Sequence, residues 1–271
     1  MAEATKTPIL RCAVRILPGY LAMVAVYLLY RFGFYPLFGK DWSFPFRHTM
    51  ELCVVYGVGA GIFYLSVRRY PLQNAAIQQK RGEGGDDHRD FREKVRAWTC
   101  LLVIQSGLSV PLLVLVEMVR TSIFHMEGTM VRPNVTFVSF YILYFLILRP
   151  VLEEMIFREI ILRRIRDAGR FRASLFTALL SAFMVYLMDG ISQACAMLLL
   201  AFMWSELYQR MEGRPHRLRV TIILHSFSNL WIVLLPWLLK SSRPGLVIYA
   251  VVWIVVVPMI AIDWIARLNR R

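Results

Sequence analysis

Pro150-Val151-Leu152-Glu153-Glu154-Met155-Ile156-Phe157-Arg158 is the stretch that decides how this chain is read. It follows an apolar run from Val135 to Leu148 and leads into further apolar residues. A charged side chain at membrane depth is costly unless it is paired or faces water. Three ionisable groups beside a membrane span therefore ask for a functional explanation. A second polar cluster, His225 and Asn229, interrupts another apolar run. Together the two clusters point to polar chemistry inside a bilayer.

The rest of the chain supports that setting. Of its 271 residues 58% are hydrophobic, and the mean hydropathy is +0.52. A soluble domain is about 45–50% apolar. The excess lies in long runs, so the fold class is all-α: a polytopic membrane protein and a single membrane domain. The formal charge of +14 does not indicate nucleic acid, because the cations flank apolar segments rather than forming one basic face. Cys12, Cys53, Cys100 and Cys195 are isolated and form no CxxC pair, which favours small buried side chains over a thiol nucleophile or soft-metal site. The first apolar run follows a short basic region without a small-residue cleavage site and reads as an uncleaved span. The C-terminal Leu268-Asn269-Arg270-Arg271 carries no lipidation signal.

A membrane helix needs about 20 mostly apolar residues. Candidates run over 16–38, 48–67, 97–119, 135–162, 173–188, 191–208, 220–239 and 245–265. This predicts about eight transmembrane helices, with Pro150 breaking the fourth unit in two. Residues 1–134 form N-terminal helices with a cytoplasmic loop at 68–96, and 135–271 form the core carrying both polar clusters. With the N-terminus inside, twenty-three Lys and Arg fall on inner segments and six on outer ones. That bias favours both termini in the cytoplasm. Residues 81–88 read as a solvated connector, and Asn134-Val135-Thr136 is a glycosylation sequon too close to a span to be used readily. No internal repeat supports a transporter built from repeated halves.

On a helix Glu154 and Arg158 are four residues apart and share a face. Glu153 is rotated by about 100° from Glu154 and is expected to point, unpaired, into a cavity. An unpaired acid there is suited to taking and giving a proton. Alternatively the charges mark the wet end of a helix. His225 and Asn229 also share a face and can donate hydrogen bonds to water or to a developing oxyanion. Alternatively they clasp neighbouring helices. The fold expectation is a polar cavity between the helices carrying Glu153 and His225.

With these motifs the chain resembles the CPBP intramembrane protease family, which includes the type II CAAX prenyl endopeptidase. The family pattern is Glu-Glu-x-x-x-Arg, then Phe-x-x-x-His, then His-x-x-x-Asn. Pro150 to Arg158 match the first motif, and Leu224-His225-Ser226-Phe227-Ser228-Asn229 match the third. The resemblance covers about residues 135–235. It implies a glutamate-dependent endopeptidase that cleaves a peptide bond at the membrane interface, in a cavity open to the cytoplasm. Glu153 would activate water, Glu154 and Arg158 would hold its helix, and His225 and Asn229 would stabilise the oxyanion. No cofactor and no metal is implied, since His225 lacks a His or Cys partner at ligand spacing. Partners would be membrane lipids and a prenylated or membrane-embedded polypeptide. The family expectation is the endoplasmic reticulum membrane in a eukaryote and the inner membrane in a bacterium.

One motif is missing. The second-motif histidine, which in the family is thought to hold the nucleophilic water with the first Glu, aligns with Met188, and no histidine lies between His125 and His216. Methionine does not hold or polarise a water. Asp189 could substitute only if its helix ends there, as Gly190 would permit. A catalytically inactive relative, acting as a membrane scaffold or binding protein, therefore stands beside the protease reading.

Overall fold

The computed structural model describes residues 9–70, 91–126, 137–214, 216–231 and 243–269. The polar connector at 81–88 and the sequon at Asn134 lie outside them. Among the described residues there are eight long helices and no strand: α1 (Ile9–Phe38), α2 (Phe44–Val67), α3 (Phe91–Ser122), α4 (138–162), α5 (Arg170–Asp189), α6 (Ile191–Arg210), α7 (Arg217–Asn229) and α8 (243–269). The all-α polytopic expectation is borne out. Six of the eight are long and apolar enough to cross a membrane. The other two, α4 and α7, are the two that carry the polar clusters. At 25 residues α4 is about 38 Å long, so charge, not length, sets it apart from the rest.

The helices meet through small residues and tyrosines. Gly19 of α1 lies so close to α2 that an added Cβ would sit 1.9 Å from Ser66 Oγ. Gly107 of α3 packs in the same way against the Val257 carbonyl and Ala261 of α8. Apolar side chains gain little from association in lipid, so this close backbone approach supplies dispersion contact instead. Along α5, Tyr20 donates to the Leu180 carbonyl at 2.6 Å and Tyr27 to the Leu187 carbonyl at 3.1 Å. The shared seven-residue step means that α1 and α5 run parallel. Gly190, at φ 92°, turns the chain sharply from α5 into the antiparallel α6. Arg170 pairs with Glu206 at 2.9 Å near the far end of that hairpin.

Pro150 does not break α4, which corrects the sequence expectation. Leu148 and Arg149 keep helical dihedrals, and the helix continues to Leu162. A proline removes the N–H that would bond four residues back, here to Leu146. In α4 the Leu146 carbonyl accepts from Ser226 Oγ at 2.6 Å, and the Phe145 carbonyl accepts from Asn229 Nδ2 at 2.8 Å. Both donors belong to α7. A neighbouring helix thus satisfies the backbone groups that the proline frees, which is how membrane helices tolerate proline. The backbone widens to π-type turns at Leu143–Leu148 and again at Met155–Leu162. Such turns lie on both sides of the Glu153–Glu154 pair, and they recur at functional sites.

The proline and the serine should therefore be energetically coupled. Ser226→Ala is expected to destabilise the detergent-solubilised protein by about 0.5–2 kcal/mol. The loss should shrink in a Pro150→Ala background, where the Leu146 carbonyl regains a backbone donor. Equal losses in both backgrounds, read from a thermal double-mutant cycle, would contradict this account.

Candidate active site

The site grows out of one charge pattern in α4. Arg149 and Glu153 are four residues apart, and so are Glu154 and Arg158, so each acid has a guanidinium one turn away. Arg149 Nε donates to Glu153 Oε1 at 2.7 Å. Arg158 Nε lies 3.1 Å from Glu154 Oε2, a close pair whose N–H is off the line of the contact. Arg158 also donates to the Ala201 carbonyl at 3.2 Å and stacks its guanidinium over Trp204. All four side chains are buried. Glu154 pairs with Arg158 as its spacing implied. Glu153 does not stand unpaired, and this corrects the earlier expectation: the rule that paired Glu154 forward pairs Glu153 backward.

The imidazole of α7 closes the cluster. His225 Nδ1 is 3.0 Å from Glu154 Oε1, and its Nε2 is 3.6 Å from Glu153 Oε2. The carboxylate at 153 and the histidine at 225, seventy-two residues apart in the chain, therefore meet. Among the described residues neither Glu153 Oε2 nor His225 Nε2 has a hydrogen-bond partner, and both are buried. The ring is held from behind. Trp204 stacks on it with centroids 4.6 Å apart, the Trp204 indole N–H donates to Gln105 Oε1 at 2.9 Å, and Gln105 Nε2 donates to the Leu224 carbonyl at 3.1 Å. A buried imidazole between two carboxylates would rotate toward either one. Stacking and the anchored backbone of α7 fix its plane.

Two further groups complete the surroundings of Glu153. Tyr56 of α2 donates to Glu153 Oε1 at 2.7 Å, and its hydroxyl lies 3.9 Å from Met188 Sδ. The methionine that aligns with the missing histidine thus sits beside this cluster. Asp189 ends α5, as its substitution for that histidine required, and it forms an ion pair with Arg149. Arg149 links it to Glu153, pairing with both carboxylates. Three carboxylates, Glu153, Glu154 and Asp189, therefore share two guanidiniums and one imidazole.

A cavity of about 490 Å³, counting the space at its open mouth, adjoins the cluster. His225, Asn229, Arg149, Asp189 and Gln193 give it polar walls, and Val185, Met197 and Leu200 give it apolar ones. Glu153 is one layer behind this wall, reached past His225. Asn229 lines the cavity while using one amide N–H on the Phe145 carbonyl. Among the described residues no three His, Cys, Asp or Glu side chains converge as metal ligands would.

Arg149, Tyr56, Gln105 and Trp204 were not singled out from the sequence. Arg149 had a legible signal, its four-residue spacing from Glu153. The other three lie in apolar runs on other helices, and nothing local marks them.

The helices and this buried acid–base cluster define a multi-pass integral membrane protein organised around an intramembrane polar centre. Residues 135–231 match the family model described as type II CAAX prenyl endopeptidase Rce1-like. That match bears out the resemblance drawn from the two motifs over this segment. No curated protein and no solved structure matches the chain.

Removing one member of a buried ion pair leaves an uncompensated charge and costs about 3–5 kcal/mol. Arg149→Met strands both Glu153 and Asp189 and is expected to show a loss of that size in mixed-micelle unfolding. Asp189→Asn should cost less, because Asp189 is 17% exposed and the Arg149–Glu153 pair survives. Equal stability of Arg149→Met and the parent would show that the pairs contribute little.

Proposed function

We propose that the protein is an intramembrane glutamate-dependent endopeptidase of the CAAX-processing type, with Glu153 and His225 as its water-holding pair. The observation that carries this reading is the 3.6 Å approach of two buried atoms, Glu153 Oε2 and His225 Nε2, that have no hydrogen-bond partner among the described residues. With Nδ1–H donating to Glu154, His225 Nε2 is an acceptor, and so is the carboxylate oxygen. A water entering beside His225 satisfies both by donating one proton to each. Its lone pairs then face the cavity, where a peptide carbonyl can meet them.

The chemistry follows from that placement. The water oxygen bonds to the carbonyl carbon as its proton passes to Glu153. The second amide N–H of Asn229, the one not used on Phe145, is available for the oxyanion. The C–N bond then breaks, and the proton held at Glu153 goes to the leaving nitrogen. Glu154 and Arg158 act as positioning residues: they orient His225 and brace the helix on which Glu153 stands. Arg149 and Tyr56 do the same at Glu153 Oε1. Asp189 stands in for the absent histidine only indirectly, by holding Arg149.

A non-catalytic relative that binds lipidated or membrane partners is the second reading. It is favoured by Met188 at the second-motif position and by the placement of Glu153 behind the cavity wall, with Oε1 engaged by both Arg149 and Tyr56.

Purified protein offered a farnesylated CAAX peptide and an apolar transmembrane peptide separates the two. Cleavage of either by the parent, abolished in Glu153→Ala and reduced about 10²–10⁴-fold in His225→Ala, is expected for the peptidase. An inert parent that gains cleavage through Met188→His would establish the non-catalytic reading.

A further inference from the structure

Both ring nitrogens of His225 face a carboxylate. Nδ1 is 3.0 Å from Glu154 Oε1, and Nε2 is 3.6 Å from Glu153 Oε2. A neutral imidazole carries one proton. The ring can therefore satisfy itself in two ways, with Nδ1–H on Glu154 or with Nε2–H on Glu153. Only the first leaves Nε2 as an acceptor. A small slide of the ring toward Glu153 would favour the second.

The surface that sets the position of the ring is Trp204. The indole touches two members of the cluster: His225 stacks on it with centroids 4.6 Å apart, and the Arg158 guanidinium lies 5.6 Å from its ring centre. Both of these groups partner Glu154. Trp204 is thus a platform for the Arg158–Glu154–His225 triple, and a turn of the indole moves the imidazole. Stacking alone is tolerant, since centroids anywhere from about 4.5 to 7 Å apart serve it. Something else has to hold the platform still.

Gln105 does so. Its side chain is 1% exposed, and its amide has one orientation: Oε1 accepts the indole N–H at 2.9 Å while Nε2 donates to the Leu224 carbonyl at 3.1 Å. A flipped amide would set donor against donor and acceptor against acceptor. The two bonds differ in consequence. The Leu224 carbonyl also accepts from Ser228 Oγ at 3.1 Å, so it is served without Gln105. The buried indole N–H depends on Gln105 Oε1, and a buried donor left without its acceptor is costly, which favours turning the indole. Gln105 therefore acts on His225 through Trp204. It does so from α3, outside the residues 135–231 that match the family model.

We propose that Gln105 is a positioning residue: by fixing Trp204 it keeps the His225 proton on Nδ1, against Glu154, and leaves Nε2 open to water. The tautomer rests on this packing alone; its use in hydrolysis rests on the peptidase reading.

Nitrogen-15 NMR of histidine-labelled protein reads the tautomer without any cleavage, and His225→Gln identifies the signal among the five histidines. The parent is expected to show Nδ1 protonated and Nε2 bare. Gln105→Met, similar in size but without the amide, should mix the two tautomers. In the farnesylated-peptide assay it should lose up to about 10²-fold in kcat, with KM little changed. Trp204→Phe keeps a stacking face without the N–H and is expected to give the same mixture. Adding Gln105→Met to it should cost little more. A parent with Nε2 protonated, an unchanged single tautomer in Gln105→Met, or losses that multiply when the two changes are combined would overturn the proposal. Trp204→Phe carries the test if Gln105→Met does not fold. A parent that cleaves nothing yet shows the Gln105-dependent tautomer refutes the peptidase reading and leaves the positioning of His225 standing.

Discussion

The constraint on which the structure depends is the burial of four charged side chains, Arg149, Glu153, Glu154 and Arg158, around one imidazole, His225. Each charge removed from water costs several kcal/mol, and mutual pairing offsets that cost only with close geometry. The two four-residue pairs of α4 provide most of the geometry within one helix. Everything else near the site is arranged around what they leave over. His225 fills the gap between the two acids, Tyr56 takes the remaining lone pairs of Glu153 Oε1, and the Ala201 carbonyl and Trp204 receive Arg158. Tyr56 comes from α2, Ala201 and Trp204 from α6 and His225 from α7, and Gln105 of α3 braces Trp204, so the cluster ties the bundle together.

The same economy explains the join between α4 and α7. The third motif supplies the imidazole, and the residues around it also repair the backbone interrupted by Pro150. Ser226 and Asn229 follow His225 and anchor α7 to α4 about two turns from Glu153. Asn229 clasps α4 through one amide N–H and also lines the cavity, so the oxyanion role proposed for it is compatible with the clasp.

What could be read from the sequence was local. Eight helices, the Glu154–Arg158 pair and the meeting of Glu153 with His225 follow from periodicity, spacing and motif order. The error over Glu153 came from applying the four-residue rule in one direction only. The error over Pro150 came from treating a helix as isolated, although in lipid a freed carbonyl seeks a donor on its neighbour. Tyr56, Gln105 and Trp204 act across 97, 119 and 99 residues respectively. An aromatic or amide in an apolar run looks the same whether it faces lipid or a buried acid, so only packing distinguishes them.

The tyrosine seam between α1 and α5 bears on how such a bundle can breathe. Tyr20 and Tyr27 grip carbonyls spaced by the same seven residues, so axial slippage by a single residue, about 1.5 Å, strands both phenols at once. The joint behaves as a keyed shaft, free to bow but locked against sliding. Gating by piston-like travel of α1 is thereby disfavoured, and lateral parting of other helices is left as the softer route.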